Sequence, residues 1–428
     1  MIDFRNVNTL WASILVETLH RCGATTAVIC PGSRSTPLTI AFANHAHIIA
    51  IPILDERSAS FFALGRAKKT GLPTVLVCTS GTAGANFYPA VIEAQQSGVP
   101  LIILTADRPP ELRNCHAGQT IDQVKLYGNF PNWQCELAIP EASLAMLSYL
   151  RQTIVQVWQQ SLLPTPGVVH LNLPLREPLA PIKQPLLEIE TKFPADFFET
   201  ITSNLPAKNF ISLPWHNWRG KSGIIIAGLA QPRDPEAYCR ALAFLSQQLS
   251  FPVLAEALSP LRNYAQLNPY LISTYDSILR QPVAQKLIPE VVIQVGELPT
   301  SKQLRNWLKD MGVTRWIIHA KIDNFDPLHG KTIHVHTSIT QAIDYTQNHT
   351  QAENNPQTPY CQQWCKLEAI SRVNIDLTLT SLEQMYEGKA AWLISQNLPS
   401  GTPIFLANSM SVRNAEYFWQ PNNQKIVP

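Results

Sequence analysis

The chain is poor in charge. Asp, Glu, Lys and Arg make up 15% of its 428 residues, against roughly 25% in an average soluble domain. So few ionised groups leave apolar surface to be covered, and a second subunit is one natural cover. The two signs nearly cancel, with 33 Lys and Arg against 31 Asp and Glu. No basic run or aromatic-basic ladder occurs either, which argues against nucleic acid as a partner. No apolar run approaches the ~18 residues of a membrane span. The N-terminus, MIDFRNVNTLWASILVETLHRCG, lacks the basic, apolar and small-residue regions of a secretory signal. The eight Cys form no paired framework and read as reduced core thiols of a cytoplasmic protein. Cys361 and Cys365 could share a helix face as a metal pair, but nothing nearby completes such a site.

What is present is apolar patterning, 45% of the residues, enough for two to four domains at roughly 100–200 residues each. Residues 1–182 alternate short apolar strands with amphipathic helices, the mark of a parallel α/β sheet. Strands are predicted at 26–30, 48–54, 74–79, 101–105 and 168–172. Helices are predicted at 8–22, 38–44, 58–69, 83–96 and 144–159. Strands this apolar suit a sheet covered on both faces. A Pro-rich exit (170–190) leads to a second α/β segment, 183–347, with strands at 223–226, 252–254, 291–295, 315–319 and 332–335. A polar linker, 348–360, opens a third segment, 348–428. It has helices around 367–375 and 382–398, one strand at 403–406, a helix from Ser409, and a strand beginning in QKIVP. One strand complete and the next begun reads as a domain without its remainder.

Three loops of the first segment follow predicted strands, where open α/β sheets bind ligands. In CPGSRSTPL (30–38), Ser33, Arg34 and Ser35 offer hydroxyls, backbone N–H groups and a guanidinium at a helix start, suited to a carboxylate or phosphate. A turn with a Ser or Thr cap explains the same residues. In ILDERSASFFALGRA (53–67), Asp55 is a good N-cap, and Glu56 in the first turn complements the helix dipole. The alternative to that bland account is that Glu56 is a partly buried carboxylate that exchanges a proton with a ligand. In CTSGTAGANFYPAVIEA (78–94), Ser80, Gly81 and Thr82 resemble an anion loop, yet match neither a Walker A motif nor a dinucleotide fingerprint nor a hydrolase elbow. A fourth stretch, LTADRPPELRNCHAGQTIDQ (104–123), holds Arg108, Arg113, His116 and Gln119. With no Ser/Asp or Cys partner recognisable nearby, His116 reads as structural.

In this order and spacing, CPGSRSTPL, DERSASFFALGRAK, TSGTAGANFYPAVIEA and LTADRPPELR resemble the 2-succinyl-5-enolpyruvyl-6-hydroxy-3-cyclohexene-1-carboxylate synthases of menaquinone or phylloquinone biosynthesis. These are thiamine-diphosphate enzymes. The resemblance implies three parallel-sheet α/β domains, pyrimidine-binding, central and pyrophosphate-binding, with the third incomplete here. It implies a homodimer or homotetramer, and the joining of 2-oxoglutarate to isochorismate with loss of CO2. It assigns Glu56 to the cofactor's aminopyrimidine N1′, and the Ser80–Gly81–Thr82 loop to cofactor binding. Ser33, Arg34, Arg108, Gln119, Lys302, Ser409 and Arg413 match substrate-contacting positions. Two departures stand out. Gln303 follows Lys302 where some relatives carry a second cation. The Gly-Asp that opens the family's diphosphate and Mg²⁺ motif is also absent, so Mg²⁺ has no expected ligands in this chain. Two other readings stay open: a non-catalytic fragment of the same enzyme, and an acetolactate-synthase-like relative.

Overall fold

Val, Ile and Leu runs make the strands. A computed structural model of the chain describes residues 2–184, 189–199, 201, 213–321, 323–349 and 356–427. These fall into two units, Met1–Ala207 and Lys208–Pro428. The first holds β1 (Thr26–Ile29), β2 (Ile49–Pro52), β3 (Thr74–Cys78), β4 (Leu101–Asp107), β5 (Trp133–Glu136) and β6 (Val168–Pro174). All pair in parallel, in the order β2-β1-β3-β4-β6-β5. Its helices are α1 (Val7–Cys22), α2 (Thr36–Ala43), α3 (Glu56–Thr70), α4 (Tyr88–Ser97), α5 (Leu144–Leu162) and the single turn α6 (Ile189–Lys192).

Side chains alternate faces along a strand, and here both faces are buried. Ala27, Ile29, Val75, Val77, Ile102 and Leu104 pack with α1, α2 and α5. Val28, Leu76, Cys78, Leu101 and Ile103 pack with α3 and α4. The expected two-sided parallel sheet is therefore present.

The second unit repeats the plan. Its strands are β7 (Gly223–Ala227), β8 (Val253–Ala255), β9 (Leu271–Ile272), β10 (Val291–Val295), β11 (Arg315–Ile318) and β12 (Thr332–Val335). They form a parallel sheet in the order β12-β11-β10-β7-β8-β9. Around it lie α7 (Trp215–Trp218), α8 (Pro235–Leu249), α9 (Tyr275–Leu279), α10 (Lys302–Met311) and α11 (Ile339–His349), followed by α12 (Pro359–Ser381), α13 (Glu387–Asn397) and α14 (Met410–Phe418). Ile225, Val253 and Ile293 face one core. Ile224, Leu254 and Val292 face the other, which also takes in Trp364 of α12.

Several expectations are corrected. The strand expected at 403–406 is only a single parallel bridge between Pro403 and Val427, and Phe405 in it is 93% exposed. The expected linker is helical from Pro359, where Thr358 caps α12; residues 350–355 lie outside the described residues. The helix expected from 382 begins at Glu387. Before α4 the chain makes a 3₁₀ turn, Gly84–Phe87, and a Cβ on Gly84 would come within 3.1 Å of both Leu126 and Thr105 side chains. The cysteines are free, but Cys115 is exposed and Cys135 and Cys365 are only partly buried. Cys361 and Cys365 do share a helix face, where the Gln357 Nε2 donates to both sulfurs at 3.6 and 3.4 Å. Among the described residues no metal-capable group of three or more forms. No described helix is long and apolar enough to cross a membrane.

Candidate active site

In the first unit β1 is flanked by β2 and β3, so the loops after β1 and β3 leave the sheet at a topological switch point. They approach closely. A Cβ on Gly32 would lie 2.3 Å from the Thr79 Cβ and 2.5 Å from its Cγ2. Only glycine permits that approach, since Thr79 is β-branched and buried. Gly32→Ala should destabilise the protein by about 1–3 kcal/mol, read by urea unfolding. An unchanged midpoint would mean that the two loops are free to separate.

On the β1 side, Ser33 is exposed while Arg34 is buried. Ser35 sits at the N-cap of α2 without capping it; its hydroxyl donates to the Gly32 carbonyl at 3.0 Å. The Arg34 Nη1 donates to the Leu175 carbonyl at 2.9 Å and lies 3.4 Å from the Glu177 carboxylate. Its buried Nε has no partner among the described residues. On the β3 side, Ser80 and Gly81 are buried and Thr82 is exposed. Gly81 has φ +85°, a left-handed conformation suited to glycine, and its N–H donates to the Gln123 Oε1 at 2.7 Å.

Arg108 leaves the end of β4 and turns onto this loop. Its Nη1 donates to the Ser80 hydroxyl and, at 2.9 Å, to the Gln119 carbonyl. Burial, and then the neighbouring Arg34 charge, lower its pKa. Gln119 has φ 58°, and its Nε2 donates to the Ser80 carbonyl at 3.0 Å. The structure thus brings Ser33, Arg34, Ser80, Gly81, Thr82, Arg108 and Gln119 to one edge of one sheet. His116, by contrast, is exposed in the same long loop.

Glu56 opens α3 just beyond β2. Asp55 does the capping, its Oδ1 accepting from the Ser58 N–H at 2.7 Å. Lys68 and Lys69 in the last turn and a left-handed Gly71 close the helix. Glu56 is half-buried, and its carboxylate accepts no hydrogen bond among the described residues. Beside it Leu54, Phe61 and Phe62 are 83%, 44% and 46% exposed, an uncovered apolar face.

Beneath these loops lies a polar network of which sequence reasoning named only Arg113. The Asn172 Nδ2 donates to Asp107 and Glu136, both at 2.9 Å. Arg113 bridges the same two carboxylates at 3.0 and 2.8 Å. Burial raises the pKa of Asp107 against these partners. The Gln123 Nε2 donates to the Asn172 Oδ1 at 3.0 Å, which links the network to the Gly81 amide. Burial pushes His170, 2.8 Å from the Thr105 hydroxyl, down to about 3, so it stays neutral. The available signal was polar Asp107 and Asn172 in otherwise apolar strands.

In the second unit Lys302 is exposed at the first position of α10, whose N-cap Ser301 accepts from the Leu304 N–H at 3.1 Å. Gln303 beside it is half-buried. Ser409 and Arg413, both exposed, sit at the N-cap and in the first turn of α14. Ser409 holds φ 75°, ψ −124°, a conformation that costs a non-glycine residue about 1–3 kcal/mol and recurs at ligand sites.

The free, half-buried Glu56 carboxylate fits the proton-exchanging end of an aminopyrimidine cofactor, and the Ser80–Thr82 loop lies on the same edge of the sheet. Mg²⁺ finds no carboxylate cluster among the described residues.

Comparison with known proteins identifies the family. Residues 11–126 match the profile "Thiamine pyrophosphate enzyme, N-terminal TPP binding domain", and residues 202–406 match "Middle domain of thiamine pyrophosphate". The chain is 64% identical over its whole length to 2-succinyl-5-enolpyruvyl-6-hydroxy-3-cyclohexene-1-carboxylate synthase of Gloeothece citriformis (strain PCC 7424), covering 74% of that protein. It is 59% identical to the protein of the same name from Trichodesmium erythraeum (strain IMS101), again over the whole chain and 74% of the relative. The Rippkaea orientalis protein of that name is 58% identical, with 73% of its length covered. The chain belongs to the 2-succinyl-5-enolpyruvyl-6-hydroxy-3-cyclohexene-1-carboxylate synthase family of thiamine-diphosphate enzymes.

Proposed function

We propose that the protein joins 2-oxoglutarate to isochorismate with release of CO2, and that Glu56 is its catalytic residue. The observation that carries the substrate class is the Arg34–Arg108 pair. Burial, and then the Arg34 charge, lower the pKa of Arg108, and the carboxylate at Arg34 belongs to an exposed Glu177. Placing like charges together at a sheet edge is unfavourable unless an anion joins them. Both proposed substrates are carboxylates, and planar guanidinium forks hold and orient such groups.

When bound, thiamine diphosphate supplies the nucleophilic carbon and electron sink that decarboxylation of a 2-oxo acid requires. This chain supplies the rest at the pyrimidine end. Glu56 exchanges a proton with N1′ of the aminopyrimidine. Ser80, Gly81 and Thr82 line the cofactor's side of the site. Ser33, Arg34, Arg108 and Gln119 hold substrate in the first unit; Lys302, Ser409 and Arg413 do so in the second. The open apolar face around Leu54, Phe61 and Phe62 supports assembly as a homodimer or homotetramer, because apolar faces of this kind mark association surfaces. A cytoplasmic location suits an enzyme of soluble carboxylates.

The test is CO2 release from 2-oxoglutarate. It should depend on isochorismate and fall at least tenfold when pyruvate replaces 2-oxoglutarate. Equal rates with pyruvate would favour the acetolactate-synthase-like reading instead.

A further inference from the structure

A buried ionic cluster ties together the two second-unit elements that carry the proposed anchors. Glu256, 2% exposed, follows β8 directly. Its Oε1 accepts from the Thr300 N–H at 3.0 Å and from the Thr300 hydroxyl at 3.1 Å. Thr300 precedes Ser301, the N-cap of α10, whose hydroxyl is held on its other side by Asp276 at 2.5 Å. Lys302 is the next residue. The residue after Glu256 takes the other direction: the Ala257 N–H donates to the Glu416 Oε2 at 2.6 Å. Glu416 lies on α14, below Ser409 and Arg413. Its Oε1 accepts from the Tyr275 hydroxyl and, at 3.1 Å, from Arg262, which is wholly buried. Two adjacent residues thus grip the approach to α10 and the last turn of α14.

Resting on the reading of Lys302, Ser409 and Arg413 as substrate contacts, we propose that Glu256 and Glu416 are positioning residues. The joint they form through Thr300 and Ala257 sets Lys302 relative to Ser409 and Arg413 for binding substrate carboxylates. The Arg262 guanidinium pairs with the Glu416 carboxylate and leaves Glu256 to its Thr300 donors. The titratable groups that feel Glu256 are Glu416 of α14 and Tyr275 of α9. Burial, and then the Glu416 charge, push Glu256 up to about 7. The joint therefore changes charge near neutral pH, and substrate affinity should change with it.

Steady-state kinetics of the enzyme and its variants test this. Glu256→Ala should raise KM for at least one of the two substrates tenfold or more, with kcat within threefold of the parent. Glu256→Gln keeps an acceptor for Thr300 and should bring KM back to within threefold. In the parent enzyme that KM should bend across pH 6–8; in Glu256→Gln, which cannot ionise, it should be flat. If Glu256→Ala does not fold, Thr300→Val, which removes one of the two donors, should raise KM threefold or more. A lower Tm for Glu256→Ala with both KM values unchanged would leave a purely structural role and overturn the proposal. Lys302→Met and Arg413→Met separate the two ideas. A raised KM in these with none in Glu256→Ala overturns the joint alone. Unchanged KM in both overturns the anchor reading, and the joint with it.

Discussion

Glu56→Gln should fold normally and lose turnover by roughly 10²- to 10⁴-fold, the range that one positioned proton-transfer group contributes. The fold should survive because Asp55, not Glu56, caps α3. Removing a first-turn negative charge costs about 0.3–1 kcal/mol at an exposed helix start, a small part of a typical stability of about 5–15 kcal/mol. Glutamine also matches the glutamate in size, so Ala59, Ala63 and Leu64 on the buried face of the helix keep their packing. What glutamine cannot do is carry a proton to and from a ring nitrogen. Circular dichroism and kcat together give the answer: a parent-like melt with kcat within tenfold of the parent would remove Glu56 from the catalytic role.

Arg262→Met should destabilise the second unit by about 3–5 kcal/mol, the usual consequence of stranding one partner of a buried ion pair. The guanidinium donates to the carbonyls of Ala255, Glu416 and Ser273, each at 2.9 Å, besides the Glu416 carboxylate. Methionine fills most of the space but donates nothing. Replacing both charges, as in Arg262→Met with Glu416→Leu, should recover part of the loss, because no carboxylate is then left unpaired. Recovery should be incomplete: three carbonyls, the Tyr275 hydroxyl and the Ala257 amide would still lack partners, at about 1 kcal/mol or more each. Urea unfolding of the single and double variants measures both effects. A single-variant loss below 1 kcal/mol would mean that the cluster opens to water.

The parts of the fold legible in the sequence are those where one residue type dominates a short run. TVLVC, LIILT and VVIQV can only be buried strands, and each became one. WQCE became β5 unannounced, because an edge strand with four half-buried residues has neither an apolar run nor a clear alternation. β9 has only two residues. PIFL reads as a strand by composition yet forms one bridge, and its exposed Phe405 shows that no sheet face is there to receive it.

The loops carrying Ser33, Arg34, Ser80 and Arg108 were legible because each follows an apolar strand, and strand ends in parallel sheets converge. The supports beneath them were not. Asp107 meets Asn172 across 65 positions of sequence, and Arg262 meets the Glu416 carboxylate across 154. No local pattern encodes which polar residue a buried charge will find. A charge inside an apolar context, such as Glu256 after FPVLA, says only that some partner must exist.

Cys115 stands alone among the eight thiols in being exposed, in the loop between Arg108 and Gln119. The molecule therefore carries a native attachment point for a maleimide fluorophore or spin label. A probe there would report when this loop settles onto a ligand, once the partly buried Cys135 and Cys365 are replaced.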